Sequence, residues 1–178
     1  AKRFAEIGLQ PAGDGGTWFQ HVSLVASTRV ADGARLAIHR DGKTIELRHG
    51  DQFLPGTSAR EAEVEITAPA VFVVHGIHAP DLGHDDFAGL DLSGKIVVTF
   101  PDAPDAFAGD LRAYHSSRVA RLEALASRGA VGMVMLATPA SAARMPWQYI
   151  QSTAGKPGMS LVDADGGIVD APAGLRAG

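Results

Sequence analysis

The chain contains no cysteine, and this absence removes several ways of building or using a protein. Its 178 residues offer no thiol for a disulfide framework, for a thiolate zinc site or for a cysteine nucleophile. The absence does not assign a redox compartment. It leaves stability to a hydrophobic core, and a hydrophobic content of 46% is enough for one core in a single domain.

Long apolar runs and clusters of positive charge are missing as well. No stretch approaches the roughly 18 consecutive apolar residues that span a bilayer, and the first residues lack the apolar segment of a signal peptide. Lys and Arg number 16 against 20 Asp and Glu, are scattered along the chain and leave a net charge of −4. The sequence therefore predicts no membrane span and no nucleic-acid groove.

Motifs of the commonest catalytic and nucleotide-binding sites are also absent. The chain has no G-x-S-x-G nucleophile turn and no G-x-x-x-x-G-K-[ST] phosphate loop. Its Gly94-Lys95 pair precedes a predicted strand, whereas a phosphate cradle needs a helix N-terminus directly after it. We therefore expect neither serine hydrolase chemistry nor nucleotide binding.

Glycine and proline are abundant, with 21 and 10 residues, which suits many strands joined by turns. The chain is organised around residues 71–100. Two short apolar runs, 71–74 and 96–98, are rich in β-branched residues and bracket a polar loop that contains three histidines and four aspartates. The runs predict two strands covered on both faces, and the loop is where ionisable side chains crowd together.

A β-hairpin is predicted around the Asp-Gly pair at positions 41–42. Asp-Gly suits the type I′ turn of a two-residue hairpin, and β-patterned runs flank it on both sides. Counting outward from the turn pairs Ile38 with Ile45 and Leu36 with Leu47. These pairs share one apolar face, and the alternate positions point to solvent.

The firmest helix is predicted over residues 118–128. Ser117 offers a hydroxyl N-cap, apolar residues recur at three- and four-residue spacing, and Gly129 ends the helix. Predicted strands at 95–100 and 131–136 flank this helix. The order strand, helix, strand predicts a βαβ unit with a right-handed crossover and parallel, neighbouring strands.

The other segments carry weaker signals. Residues 1–8 are typical of the end of a helix. We also expect strands over 18–26, 62–67 and 159–162, a turn over 163–167, irregular chain over 101–114 and 138–158, and no patterned element over 168–178. Together the elements predict an α/β or α+β fold with a mixed sheet or open barrel, one hairpin, and one βαβ unit with a single main helix.

Six ionisable loop residues are candidates for a metal site or an interaction surface: His75, His78, Asp81, His84, Asp85 and Asp86. Histidine and carboxylate side chains are ordinary zinc ligands. Their spacing, however, matches no known metal site. The alternative is a solvated loop whose aspartates accept hydrogen bonds from backbone N–H groups in turns. Trp147 and Tyr149 are candidates for an interaction lip, or else buried anchors of a long loop.

The stretch VFVVHGIHAPDLGHDDFAGLDLSGKIVV resembles the signature of the protease-associated domain inserted into secreted zinc exopeptidases of the aminopeptidase and glutamate-carboxypeptidase type. Positions in step with that signature are Val71-Phe72-Val73, Gly76-Ile77, Ala79-Pro80, Asp85-Asp86, Gly89, Asp91, Gly94-Lys95 and Ile96. The helix-to-strand segment is similar to the family at Ala126, Gly129, Ala130 and Gly132. The opening EIGLQPAGDGGTWFQHV resembles the peptidase segment that leads into the insertion.

This resemblance implies a division of the chain and a role. Residues 1–16 would be the end of a truncated peptidase-domain helix with a linker, and residues 17–178 a protease-associated domain with a truncated C-terminal end. His75 and His84 stand where the family has aromatic residues, which implies packing rather than metal ligation. The family's zinc ligands follow the inserted domain, and nothing in this chain aligns with them.

By resemblance, the chain is therefore a non-catalytic fragment without catalytic or metal-binding residues of its own, and zinc belongs to the parent peptidase. The implied partners are the peptidase domain of the same polypeptide and a peptide or protein substrate, in a periplasmic or secreted location. Two alternatives stay open: a free-standing binding module, and a small metal-dependent hydrolase that uses the 75–86 loop.

Overall fold

The computed structural model describes residues 1–30 and 33–169 and has an α+β fold. Its helices are α1 (Lys2–Glu6), α2 (Gly109–His115), α3 (Arg118–Ala126), α4 (Pro139–Arg144) and α5 (Trp147–Ala154). Its strands are β1 (Leu24–Ser27), β2 (Leu36–Arg40), β3 (Lys43–Leu47), β4 (Ala70–Phe72), β5 (His78–Ala79), β6 (His84–Asp85), β7 (Ile96–Thr99), β8 (Gly132–Met135) and β9 (Gly158–Leu161). No closed barrel forms within this range.

The centre of the fold is a three-stranded parallel sheet in the order β4-β7-β8. In its register Val97 of the central strand lies beside Val71 on one side and Met133 on the other. The predicted parallel pairing of segment 95–100 with segment 131–136 is confirmed. Because the three strands are parallel, the loops that follow them lie at the same edge of the sheet.

Helix α3 covers one face of this sheet and completes the core. The Ser117 hydroxyl accepts the Ala120 N–H at 3.2 Å, as the predicted N-cap requires, and Gly129 follows the helix at φ +75°. The core cluster consists of Val73, Phe87, Leu92, Val97, Leu122, Leu125, Ala130 and Met133. The βαβ unit therefore supplies most of the core of the described residues.

The predicted hairpin is confirmed in position, turn and register. β2 pairs antiparallel with β3 so that Ile38 lies opposite Ile45, and both turn residues have positive φ, 51° at Asp41 and 73° at Gly42. Positive φ at both central positions is the geometry of a type I′ turn. The apolar face is nevertheless open, because Ile38 and Ile45 are 48% and 55% exposed.

Several element predictions are wrong. The strand expected over 18–26 begins only at Leu24, and segment 62–67 forms no strand. Burial does alternate along segment 62–67, with Val64 and Ile66 half-buried, but the segment has no partner strand among the described residues. The alternating pattern correctly predicted which of these side chains are buried. It could not predict a strand, because a strand also needs a neighbouring strand for its backbone hydrogen bonds.

The segments expected to be irregular contain helices α2, α4 and α5. These helices have 7, 6 and 8 residues, too few turns for a clear 3.6-residue period. Helix α4 begins with Pro139 after a capping box formed by Thr138 and Ser141, and helix α5 begins just after Pro146. Proline in these positions marks a helix start as well as a loop. Helix α3 is thus the longest described helix and not the single one.

The prediction that the run 71–74 is covered on both faces is also wrong. Val73 and Val97 point into the core, but Phe72 and Val74 are 50% and 45% exposed on the opposite face of the sheet. Parallel sheets are usually covered on both faces. The described residues leave this face of β4 open.

The ends of the chain bear on two further predictions. A helix is confirmed near the N-terminus, where α1 is followed by Gly8 at φ +82°. The turn expected over 163–167 is also present, closed by a 2.9 Å hydrogen bond from the Asp163 N–H to the Gly167 carbonyl. The prediction for 170–178 lies outside the described residues, and the domain boundary at 16–17 stays a prediction.

Candidate functional site

The histidine-rich loop between β4 and β7 folds into a small ordered unit. β5 pairs antiparallel with β6, so that His78 lies opposite Asp85. A 3-10 turn over Pro80–Leu82 joins the two strands and ends at Gly83, whose φ of +65° is left-handed. This short hairpin fixes the positions of most of the predicted site residues.

Asp86 fastens the loop to the end of β4. Its carboxylate oxygen Oδ2 accepts the N–H groups of His75 at 3.0 Å and Ile77 at 3.1 Å, and its own N–H donates to the Ile77 carbonyl at 3.0 Å. The side chain is 9% exposed. Hydrogen bonds from N–H groups to a carboxylate are strong, so Asp86 clamps the turn centred on Gly76.

Asp85 has a similar local role nearer the surface. Its Oδ1 accepts the Phe87 N–H at 3.0 Å and lies 3.2 Å from His78 Nδ1. The Phe87 N–H and, after it, the His78 side chain hold the pKa of Asp85 below its usual value. The carboxylate is therefore stabilised in its charged form by the loop itself.

His84, in strand β6, and His75, between β4 and β5, differ in their surroundings. The His84 ring meets the Phe107 ring edge to face at 5.4 Å, and its Nε2 lies 3.1 Å from Asp86 Oδ1 without hydrogen-bond geometry. His75 is half-buried, and its Nδ1 has no hydrogen-bond partner among the described residues. His75 Nδ1 and His84 Nε2 are thus two predicted-site atoms on this loop that are shielded from solvent and have no hydrogen-bond partner among the described residues.

The residue that organises the loop is Arg121, which sequence analysis missed. Its side chain is 1% exposed, and its guanidinium donates to the carbonyls of His75 at 2.7 Å, Pro101 at 3.0 Å and Asp102 at 3.4 Å. A Cβ on Gly76 would lie 3.3 Å from Arg121 Cγ. Because glycine has no Cβ, the turn can pack closely against the aliphatic part of the Arg121 side chain. Arg121 therefore joins the loops that follow β4 and β7.

Burial lowers the pKa of Arg121, and the nearby carboxylates of Asp102 and Asp86 oppose that effect. The sequence did hold a signal for this residue. Position 121 is four residues before Leu125 and adjacent to Leu122, so an arginine stands on the apolar face of helix α3. A charged residue on a core-facing stripe needs a buried partner, and here the partners are backbone carbonyls.

The other predicted site residues do not join the loop cluster. Asp81 is exposed in the 3-10 turn and makes no hydrogen bond or ion pair among the described residues. The Trp147 Nε1 donates to the Gly50 carbonyl at 2.9 Å, which makes Trp147 an anchor of helix α5. Tyr149 is 59% exposed on the same helix. No hydrogen bond or ring contact of the described residues connects these two aromatics with the loop.

A cleft of about 460 Å³ lies beside the loop, at the carboxyl ends of the parallel strands. Its lining comes from the segments that follow each strand: His75 after β4, Asp102 and Asp105 after β7, and Arg144 on helix α4 after β8. Ligands of open α/β sheets bind in the crevice outside the carboxyl ends of the strands. Position and volume therefore make this cleft the best candidate for a binding site.

Arginine and aspartate pairs line the cleft. On helix α2, Arg112 Nη2 lies 3.3 Å from Asp105 Oδ1, and on helix α4 the guanidinium of Arg144 bonds the carboxylate of Asp102. The Nε of Arg112 is shielded from solvent and has no hydrogen-bond partner among the described residues. The cleft thus has a mixed lining in which the charged groups balance, and Nε of Arg112 is an unused donor.

The loop residues do not fit a metal centre. No group of three or more His, Asp and Glu side chains within the described ranges is placed to hold a metal ion. The physical reason is that Asp85 and Asp86 are engaged by backbone N–H groups and by histidines of the same loop.

No helix in the described part of the chain is long and apolar enough to cross a membrane.

Comparison of the chain with protein-family models, with curated proteins and with solved structures found no match. The resemblance to the protease-associated domain therefore depends on the motif residues alone.

Proposed function

We propose that this chain is a non-catalytic domain of the protease-associated type, carried by a zinc-dependent exopeptidase, where it shapes substrate access or contacts peptide and protein partners. The observation that carries the proposal is the use of the motif residues. Asp85 and Asp86, which match the Asp-Asp pair of the resemblance, accept backbone N–H groups and order the loop. Carboxylates that hold a loop together in this way have a structural role, so their presence in the loop does not require a catalytic role.

The surface of the chain supports a domain that docks on a larger body. Its accessible area is 12040 Å², whereas a compact monomer of this mass exposes about 8,200 Å². The eleven undescribed residues, even if counted as wholly exposed, account for only about 1,700 Å² of the difference. An excess of about 2,000 Å² therefore belongs to the described residues, enough for one side of a large permanent interface.

Many large hydrophobic side chains lie on the exposed surface. Within the described ranges 23 large hydrophobic side chains are exposed, against 11 hydrophobic residues in the core, and the open faces of β4 and of the β2-β3 hairpin contribute to them. Apolar surface on this scale marks an interaction site. By the proposal, the peptidase domain of the same polypeptide covers part of it.

Two other functions use the same residues differently. A small metal-dependent hydrolase would need the loop histidines and aspartates as ligands, and their hydrogen bonds within the loop oppose that use. A free-standing binding module would have no peptidase attached and would cover its apolar faces by self-association or with a separate partner.

The coding sequence downstream of Gly178 separates the proposal from the free-standing module. We expect it to encode the zinc-ligand set of the resembled peptidases: a His-x-Asp, a bridging Asp, a Glu-Glu pair and a distant His. An immediate stop codon would contradict the proposal and favour the module.

A further inference from the structure

The two arginines of the cleft differ in how firmly the chain itself engages them. Arg144 pairs with Asp102, whose main-chain carbonyl is held in turn by the buried Arg121. Arg112 Nη2 donates to the main-chain carbonyl of Asp105 at 2.5 Å and also pairs with the Asp105 carboxylate, whose side chain is fully exposed to solvent. Exposed ion pairs contribute little to stability. The Arg144 pair therefore belongs to the wall of the cleft, whereas the carboxylate of Asp105 can be exchanged while its main-chain carbonyl keeps Arg112 in place.

The guanidinium of Arg112 presents an incompletely used edge. Nε and Nη2 lie along the same edge, and a carboxylate binds that edge through two parallel N–H···O bonds. Asp105 Oδ1 is 3.3 Å from Nη2, while Nε is shielded from solvent and has no partner among the described residues. Asp105 thus engages Nη2 through its carbonyl and its carboxylate, and it leaves Nε, the other donor of this edge, unused.

A third unused group lines the same cleft. His75 Nδ1 is shielded and unpartnered, and it becomes a donor in the tautomer or charge state that carries a proton there. The backbone around His75 is fixed from both sides, by the Asp86 carboxylate on its N–H and by the Arg121 guanidinium on its carbonyl. Donors held by a rigid backbone suit ligand binding because little order is lost when the ligand arrives.

We propose that this cleft binds a carboxylate group, presented either by the C-terminus of a peptide or by an acidic side chain. The ligand carboxylate displaces the Asp105 carboxylate, accepts from Nε of Arg112 and from the N–H of Nη2 that does not bond the Asp105 main-chain carbonyl, and receives a third hydrogen bond from His75. The volume of about 460 Å³ accommodates a short peptide. The inference uses only donors of this chain and holds whether or not a peptidase domain is attached.

Displacement also accounts for the charge balance. With Asp105 in place the cleft has two arginines and two aspartates, and it has no net attraction for an anion. Once the Asp105 side chain turns to solvent, one positive charge is left for the ligand. Asp105 is therefore a competitor of the ligand, and its removal should tighten binding.

Isothermal titration calorimetry of the 178-residue chain tests the proposal with four probes. Acetyl-alanyl-alanine as the free acid presents a C-terminal carboxylate, its C-terminal amide presents none, acetyl-aspartyl-alanine amide presents only a side-chain carboxylate, and inorganic phosphate presents a different oxyanion. We expect saturable binding of at least one carboxylate probe, at least about 10-fold tighter than that of the neutral amide. The probe that binds more tightly identifies the source of the carboxylate.

Three variants assign the binding to Arg112 and Asp105. Arg112→Lys keeps the charge but loses the two-donor edge and should weaken binding about 10-fold. Asp105→Asn removes the carboxylate that competes with the ligand for Arg112 and should tighten binding about 3-fold or more. The size of this effect follows from the strength of an exposed ion pair, which is a fraction of a kcal/mol to about 1 kcal/mol. Asp110→Asn removes an equal charge from an exposed position of the same helix α2 outside the cleft lining and should change binding less than 2-fold, a limit set by screening at about 0.15 M salt.

Three results of the titrations with the unaltered chain, and one with the variants, would overturn the proposal. These are no saturable binding of either carboxylate probe, equal binding of the free acid and the amide, and phosphate binding as tight as that of the carboxylates. Equal effects of Asp105→Asn and Asp110→Asn would likewise overturn it, since they would show general charge attraction in place of a site. Circular dichroism confirms that each variant is folded before titration.

Discussion

Arg121 is a buried cation whose hydrogen-bond partners are main-chain carbonyls. Carbonyl dipoles and the nearby carboxylates of Asp102 and Asp86 take the place of water around its charge. Because the carbonyls belong to the loops after two different strands, one side chain sets the distance between the histidine-rich loop and the wall of the cleft.

Replacing Arg121 with Met should therefore be costly. Methionine keeps much of the apolar stem but leaves three buried carbonyls without donors, and we expect the free energy of unfolding to fall by about 3 kcal/mol. Arg40→Met, at an exposed position of strand β2, is the control and should change it by about 0.5 kcal/mol or less. Urea unfolding followed by circular dichroism measures both, and similar losses would contradict the role assigned to Arg121.

Asp86 and Asp81 form a second matched pair at the residue scale. Asp86→Ala removes the acceptor of two N–H groups and should cost about 2 kcal/mol or more, whereas Asp81→Ala removes an exposed carboxylate without partners and should cost about 0.5 kcal/mol or less. Urea unfolding compares the two at neutral pH. If Asp86→Ala left the free energy of unfolding unchanged, the loop would not depend on the hydrogen bonds that the Asp86 carboxylate accepts.

The pH dependence of stability follows from two other aspartates. The Phe87 N–H and His78 lower the pKa of Asp85, and Lys95 together with the Ser93 N–H lowers that of Asp91. A carboxyl group with a lowered folded-state pKa binds its proton more readily in the unfolded chain. Its stabilising contribution is therefore complete above the unfolded value of about 3.9 and is lost as the pH falls through the folded value.

We expect the stability gap between the chain and an Asp85→Asn, Asp91→Asn double variant to be present at pH 5 and to close as the pH falls below about 3.9. Urea unfolding at a series of pH values measures the gap. A gap that persists unchanged at the acid end, or that widens there, would show that these two carboxyl groups do not have lowered pKa values.

Among the elements, the turn at Gly76 illustrates how helix α3 and the loop depend on each other. Gly76 has a φ of +67°, and a Cβ there would meet the Arg121 stem at 3.3 Å. Gly83 has nearly the same φ, +65°, with nothing within 4 Å of the corresponding position. The two glycines therefore differ in contact but not in backbone conformation.

Gly83→Ala should cost about 1 kcal/mol from backbone strain alone, and Gly76→Ala should cost at least about 1 kcal/mol more because the arginine stem must shift. The difference between the two unfolding free energies isolates the contact with Arg121. Equal costs would show that the loop can move away from the helix.

The elements that the sequence predicted well are those set by local geometry. The hairpin register follows from a turn that allows only one pairing, and helix α3 follows from a cap, a period and a terminating glycine. Short helices such as α4 and α5 give too few turns to show a period. Arg121 and the cleft depend on contacts between residues far apart in sequence, such as Arg121 with His75, which no local pattern reports.

At the scale of the whole molecule, the main core of the described residues lies in the βαβ unit, and many large hydrophobic side chains are exposed. The cleft at the strand ends and the open face of β4 are separate surfaces, because neither Phe72 nor Val74 lines the cleft. By the proposal the apolar face docks on a peptidase domain, and the cleft receives a carboxylate of the substrate or partner.

The most direct test of the proposed role is a hydrolysis assay with the purified 178-residue chain. The chain is incubated with zinc and leucine para-nitroanilide, and bound zinc is measured by elemental analysis after gel filtration. The account predicts no release of nitroaniline above the protein-free rate and no zinc held at one equivalent per chain. Turnover that follows the chain through purification, requires bound zinc and stops with a chelator would contradict it.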